Sequence, residues 1–401
     1  MAIQNLTLRQ IMASFAYLAY CGEQITTSNP ESEILGLINS AMPQIPPIKP
    51  PNPTWSVVWG PVTYTVPGAL YQDNLMFVAQ NQVDTTQFAI AIRGTNFISD
   101  LDWLLEDLDI FQMMPWSLAQ PDAQISESTS IGLQILLAMK ETKGKSEIAG
   151  ATTLLEFLQS RTKTPINLCV TGHSLGGCLA GTLALYLKDN RTSWDTSKAS
   201  VVCCITFAAP TAGNAAFATY SDTQFKGGGA FPGWDSSLGT NCDPVRCSFD
   251  VAPLAWTTAA VTIASGGVFP PLLTIYGNNL NFMNMAFSSY FLFSGAVGFA
   301  SPQLQAILSP RNYQQIVAGA APLAGVFNTQ FSPASDDLED YLTAFLDQAE
   351  YQHSDSYPSK PLLDVPQLND PAIIVTNPSA PRTTAAQRPR GRLRGALLAP
   401  T

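Results

Sequence analysis

Apolar and polar residues follow two periods along this chain, one helical and one alternating. Residues 6–20 place Leu8, Ile11, Met12, Phe15, Leu18 and Ala19 at i, i+3, i+4 spacing, which predicts an amphipathic helix. Residues 43–53 hold six prolines and read as an extended connector. Trp55–Val66, Asn74–Gln80 and Gln87–Ile92 are β-rich runs separated by Pro67-Gly68 and by polar turn residues. An acidic amphipathic segment follows, Asp100–Asp109, with Leu101, Leu104, Leu105 and Leu108 set among five carboxylates. Ser130–Lys140, Ala151–Arg161 and Asp336–Glu350 read as helices. Ile166, Leu168 and Val170 open a strand, Leu175–Leu187 is a helix with Leu179, Leu183 and Leu187 on one stripe, and Val201–Phe207 is a buried strand. This alternation predicts an α/β fold, with a mostly parallel central sheet flanked by helices on both faces.

The pattern breaks down between Val251 and Ser335, where 85 residues carry one formal charge, Arg311. Met283–Ala300 is an uncharged run of 18 residues, long enough to raise the question of a membrane span. Its serines, its glycines and Asn284 favour a buried or interfacial helix, so residues 260–335 are expected to be an apolar helical insertion. Residues 359–401 are proline-rich, with Arg382, Arg388, Arg390, Arg392 and Arg394 near the end, and read as a flexible tail behind a domain spanning 1–358.

Composition narrows the classes of function. Charged residues make up 12% of the chain against a usual ~25%, and 46% are hydrophobic, which is neither a disordered nor a nucleic-acid-binding composition. A net charge of −10 argues against a polyanionic partner. Arg9 interrupts the first apolar segment, so no cleavable signal peptide is expected. That reading favours a cytoplasmic or peripherally membrane-associated protein and leaves leaderless secretion open. Five of the seven cysteines sit in apolar contexts as small core residues, whereas Cys242 and Cys247 flank a loop and could bridge. With two histidines and no CxxC pair, neither a zinc site nor any other cofactor is expected.

The chemistry centres on Gly172-His173-Ser174-Leu175-Gly176, a G-x-S-x-G pattern lying between a strand and a helix. Five residues alone occur by chance, but that context is the one in which the pattern makes a nucleophile elbow, presenting the serine on a tight turn. A nucleophilic Ser174 needs a base, because a serine hydroxyl is weak at neutral pH. His173 adjoins it and its side chain diverges from the serine's, which leaves His353 as the remaining imidazole. The acid is then expected between them in the chain. Asp243 and Asp250 compete, and Asp250 is preferred as a strand-terminal aspartate in Asp250-Val251-Ala252-Pro253. For an oxyanion hole, the amide of Leu175 supplies one donor and Thr95, in Arg93-Gly94-Thr95, is the candidate for the other.

At this point the motifs resemble the class 3 lipases. Arg93-Gly94-Thr95 followed by Asp102-Trp103, Gly172-His173-Ser174-Leu175-Gly176-Gly177, Phe207-Ala208-Ala209-Pro210 with Gly213-Asn214, and Asp250-Val251-Ala252-Pro253 occur in that family's order. The N-terminal helix ending in Ala19-Tyr20-Cys21, and His353 ahead of Tyr357, are also similar. The resemblance implies an α/β-hydrolase fold and hydrolysis of lipid esters, with Ser174, Asp250 and His353 as triad and Thr95 and Leu175 at the oxyanion hole. It also implies a lid over residues 97–108 carrying Phe97, Leu101, Trp103 and Leu104 toward substrate. A lipid ester is the expected partner, met at a membrane or lipid-droplet surface. The 103-residue interval from Asp250 to His353 is longer than the compact fungal members lead one to expect.

Overall fold

The computed structural model describes residues 7–65, 72–94, 112–141, 152–227, 231–250, 252–254, 312–317, 321–332, 334–335, 340, 344 and 347–378. Helix α1, Leu8–Leu18, starts at a capping box in which the Thr7 side chain accepts from the Gln10 amide and the Gln10 side chain accepts from the Thr7 amide. Its apolar stripe buries Met12, Phe15 and Leu18, and the Phe15 ring meets Trp55 edge-on at 5.1 Å and Phe77 at 6.4 Å. Helix α2, Pro30–Ala41, has proline in its first turn together with Glu31 and Glu33, which suit the positive end of the helix dipole. It buries Ile34, Ile38 and Ala41, a stripe too thin to stand out in the sequence.

The proline-rich connector is not extended. It forms two short 3₁₀ turns, Met42–Gln44 and Pro46–Ile48, that bury Met42, Ile45 and Ile48. The spacing of Met42, Ile45 and Ile48 matches the three residues per turn of that helix, so all three side chains fall on the side facing the core.

Six strands form the central sheet in the order β1 (Trp55–Tyr64), β2 (Asn74–Asn81), β3 (Gln87–Ile92), β8 (Asn167–His173), β9 (Val201–Phe207) and β10 (Cys242–Val245). The first three pair antiparallel, and β3, β8, β9 and β10 pair parallel. Two small antiparallel pairs stand apart from this sheet: β4 (Met113–Ser117) with β5 (Gln120–Ser126), and β6 (Lys140–Glu141) with β7 (Thr152–Thr153). Helices α3 (Glu127–Ala138), α4 (Leu154–Arg161), α5 (Leu175–Asp189) and α6 (Ala215–Phe225) complete the described helices of the body.

Alternation along the central strands divides the core in two. Ala89, Ala91, Cys169, Cys203, Ile205 and Phe207 face one cluster with α1 and α2. Phe88, Ile90, Ile92, Leu168, Val170, Val202 and Cys204 face the other, under α3, α4 and α5. Successive strand residues point to opposite faces, and both faces are covered, so the strands read as continuous apolar runs.

A second expectation needs correction, and one open possibility is closed. The tail does not begin at residue 359: Leu363, Val365, Leu368, Ile373 and Ile374 are buried, and the carbonyls of Val375 and Thr376 accept from the amides of Gly22 and Gln24 at 2.8 and 3.0 Å. The segment is proline-rich and has no helical or strand period, but its aliphatic side chains close the first core cluster. Nor do Cys242 and Cys247 bridge; both are free, and they belong to opposite core faces. The Cys242 Sγ lies 3.1 Å from Cys204 on β9, and the Cys247 thiol meets the Gln352 side chain at 3.4 Å. The expected lid (97–108), most of the insertion at 260–335 with Met283–Ala300, much of the helix at 336–350 and the arginines of the tail lie outside the described residues. Among those described, no helix is long and apolar enough to cross a membrane.

Replacing Phe15 with alanine removes the ring that joins α1 to β1 and β2. Stability is expected to fall by about 3–5 kcal/mol, read from the shift of the urea midpoint. A loss below about 1 kcal/mol would show that α1 is not docked as described.

Candidate active site

Strand β8 ends at His173 and helix α5 begins at Leu175, so Ser174 alone makes the turn. Its backbone sits at φ 58°, ψ −133°, a region sparsely used by side-chain-bearing residues that costs of order 1–3 kcal/mol. The surroundings hold it there. The Ser174 amide donates to the Phe207 carbonyl at 2.9 Å, and the Ser174 carbonyl accepts from Gly177 and Cys178 at 2.8 and 3.2 Å. A Cβ on Gly172 would strike the Gly176 carbonyl, and one on Gly176 would strike the Ile92 carbonyl and stand 2.5 Å from the Gly94 amide nitrogen. The end of β3 and both arms of the turn thus pass in a space that glycine alone allows.

His353, 179 residues further along the chain from Ser174, comes from a π-helical turn, Tyr351–Asp355. Ser174 Oγ and His353 Nε2 are 2.9 Å apart, and His353 Nδ1 lies 3.0 and 3.1 Å from the two carboxylate oxygens of Asp250. All three side chains are buried. A carboxylate only accepts, so Nδ1 carries the proton toward Asp250 and Nε2 is free to accept from the serine.

Asp250 takes two further donors. The Ala252 amide reaches one oxygen at 3.0 Å and the Tyr357 hydroxyl the other at 2.7 Å. Tyr357 in turn accepts from the Cys247 amide at 2.8 Å. Burial, and then the Asp250 charge, push the Tyr357 phenol well above its ordinary value, which keeps it a donor.

The competing carboxylate goes elsewhere. Asp243 lies inside β10 and accepts from Arg9 Nε and Nη2 at 2.6 and 2.9 Å, a two-pronged ion pair between the strand and α1. Asp250 is not strand-terminal; it sits in the loop after β10, where its own amide donates to the Cys247 carbonyl at 3.1 Å. That loop carries it past the sheet edge toward the histidine.

Of the oxyanion candidates, Leu175 is the first residue of α5, and the amides of a helix's first turn have no partner within the helix. Thr95, Phe97, Leu101, Trp103 and Leu104 lie outside the described residues. Gly94, immediately before Thr95, runs beside the elbow: a Cβ there would stand 3.2 Å from the Ser174 Cβ and 2.6 Å from the His173 carbonyl.

Sequence reasoning passes over the polar groups behind Ser174, His353 and Asp250. His173 Nε2 lies 2.7 Å from the His353 carbonyl and Nδ1 lies 3.0 Å from the Tyr20 hydroxyl, while Tyr17 donates to the Ser354 carbonyl at 2.6 Å. Burial, reinforced by the neighbouring His353, pushes the His173 imidazole down to about 3. Tyr20 and Tyr357 stand in motif-bearing stretches, but no periodicity marks them as hydrogen-bonding residues. No group of three or more His, Cys, Asp or Glu side chains among the described residues converges where a metal could sit.

A buried serine at a strand-to-helix turn of a mixed, mostly parallel sheet, with a histidine and an aspartate brought to it from later loops, describes the class of serine-centred α/β-hydrolase folds. A family model described as Lipase (class 3) matches residues 89–230. The crystal structure of the M37 lipase is 31% identical and superposes with a TM-score of 0.68, over 92% of this chain and 98% of that one. The nonglycosylated LIP2 lipase of Yarrowia lipolytica (19% identity, TM-score 0.41) and lipase II of Rhizopus niveus (14%, 0.39) each align over 61% of this chain and 72% of theirs. No curated protein matches the chain. The chain belongs to the class 3 lipase family.

A histidine held near 3 when folded and near its ordinary 6.5 when unfolded makes stability depend on pH. Between those values the unfolded chain binds a proton that the folded one refuses, so the contribution is complete above about 6.5 and is lost as pH falls toward 3. His173→Gln is expected to flatten the stability profile near pH 5 by up to about 1.4 kcal/mol per pH unit. Parallel profiles for wild type and variant would show that His173 is not a buried neutral imidazole.

Proposed function

We propose that the protein is a serine hydrolase that cleaves the carboxylic ester bonds of lipids, of the triacylglycerol lipase type. The observation that carries this reading is the continuous chain of short contacts from Ser174 through His353 to Asp250, 2.9 and 3.0 Å in length and made between buried side chains. Ser174 attacks the ester carbonyl while His353 Nε2 takes its proton, and Asp250 stabilises the imidazolium that forms. His353 then returns the proton to the leaving alcohol, and water, activated by the same nitrogen, releases the acyl group from Ser174.

The negative charge that develops on the carbonyl oxygen needs donors already in place, each typically worth about 10²–10³ in rate. The Leu175 amide is one. Thr95 is the other, supported by the approach of Gly94 to Ser174 and by the family resemblance. Residues 97–108 are the proposed lid, with Phe97, Leu101, Trp103 and Leu104 turned to the site in water and to lipid when open. The low-charge stretch before His353 provides apolar area for acyl chains or for a lipid surface.

Kinetics on p-nitrophenyl butyrate and on emulsified triacylglycerol test these assignments together. Ser174→Ala is expected to abolish both activities, and Asp250→Asn to lower kcat by about 10⁴ through the wrong histidine tautomer. Asp243→Asn should leave kcat intact and cost stability, because it breaks the Arg9 pair. Full activity in Ser174→Ala, or a larger kcat loss in Asp243→Asn than in Asp250→Asn, would rule the reading out. Leu101→Ser with Leu104→Ser should depress the emulsion activity more than the soluble one. Equal losses would identify a soluble carboxylesterase, without interfacial action.

A further inference from the structure

The reaction proposed for Ser174 uses one of the two histidines in the chain and leaves the other, buried beside it, without a part. The rings lie 4.8 Å apart, centroid to centroid. His173 Nε2 faces the His353 carbonyl, which has no proton to give, so Nε2 must be the protonated nitrogen. The ring is neutral in its dry site, which leaves Nδ1 bare to accept from the Tyr20 hydroxyl. His353 is the reverse, protonated on Nδ1 and bare on Nε2. The two imidazoles hold opposite tautomers, each set by the partners around it.

The turn that carries His353 needs such external support. A π-helical turn is wide, and here its consecutive carbonyls take side-chain donors. Gln352 accepts from Ser356 at 2.7 Å, His353 from His173 at 2.7 Å and Ser354 from Tyr17 at 2.6 Å. Asp355 accepts from Ser359 at 2.9 Å and Asn369 at 2.7 Å. Of these donors, His173 is bonded directly to the nucleophile's own residue.

We infer that His173, fixed in its Nε2–H tautomer by the Tyr20 hydroxyl, is a positioning residue that sets the separation of His353 and Ser174 through the His353 backbone. The inference rests on the Ser174 reaction proposed above. Because His173 and Ser174 are consecutive, movement of the elbow carries the strut to the base along with the nucleophile. A misplacement of about 1 Å between reacting groups costs on the order of 10² in rate, so a strut of this kind acts on kcat. The same ring must also stay uncharged, since a cation 4.8 Å away would oppose the imidazolium forming on His353.

The scarcity of histidine makes the test direct. Labelling with ¹⁵N-histidine gives two ring systems, and the wild-type spectrum is expected to hold one Nε2–H ring that does not titrate above about pH 4.5, within two units of its depressed value, and one Nδ1–H ring. Tyr20→Phe should shift the bare nitrogen of the first ring and lower kcat on p-nitrophenyl butyrate about ten-fold with KM unchanged. His173→Leu should lower kcat about 10²-fold, and His173→Gln, whose amide can donate to the His353 carbonyl, should recover most of it. Two Nδ1–H rings in the wild type, or equal kcat in wild type and both His173 variants, would overturn the inference. So would equal losses in the Leu and Gln variants. If His173→Leu does not fold, the wild-type spectrum, Tyr20→Phe and His173→Gln still decide. Absence of Ser174-dependent hydrolysis in the wild type would remove the reaction itself, an outcome distinct from normal wild-type turnover with unaffected variants.

Discussion

The constraint on which the structure turns is the backbone of Ser174. One residue joins strand β8 to helix α5 at φ 58°, ψ −133°, and its side chain meets His353 Nε2 at 2.9 Å. It persists because its neighbours over-determine it. Phe207 on β9 takes the amide, α5 takes the carbonyl, and Gly172 and Gly176 let the end of β3 close against the turn. The strain is local and the compensation comes from the whole centre of the sheet, where both faces are packed and neither can give.

Everything else in the site is brought to that point from a distance. Asp250 comes on a loop past the end of β10, and His353 on a π-helical turn whose carbonyls are held by Tyr17, His173 and Asn369. Asp250 is in turn fixed by Tyr357 and by the Ala252 amide. Tyr17 and Tyr20 arrive from the end of α1, so the N-terminal helix both closes a core cluster and orders the polar centre. Asp243, chemically the equal of Asp250, is taken out of contention by Arg9. Two carboxylates seven positions apart thus differ in role because one meets a guanidinium and the other an imidazole.

Much of this was legible in the residues. The glycines around Ser174 announce the turn, and scarcity of histidine singles out His353. Where the period is strong, as in α1, β3, β8, β9 and α5, the elements stand where the pattern puts them. The misreadings have physical causes. The connector at 43–53 reads as extended because prolines dominate it, but proline fits the first turn of a 3₁₀ helix and the apolar spacing of three is the better signal. The segment after residue 359 lacks any period because it packs as isolated aliphatic anchors. Asp250 reads as strand-terminal because a strand and a short loop of similar composition look alike. The hydrogen bonds of Tyr17, Tyr20, His173 and Tyr357 join residues far apart in sequence, and no local pattern records such a contact.

The central claim is that Ser174 is an activated nucleophile. Treating the intact protein with diethyl p-nitrophenyl phosphate and mapping the adduct by peptide mass spectrometry tests this most directly. One diethylphosphoryl group per chain on Ser174, absent from Ser174→Ala and formed far more slowly in His353→Gln, is the expected result. An unmodified Ser174, or an adduct that forms on another residue at the same rate in wild type and Ser174→Ala, would contradict it.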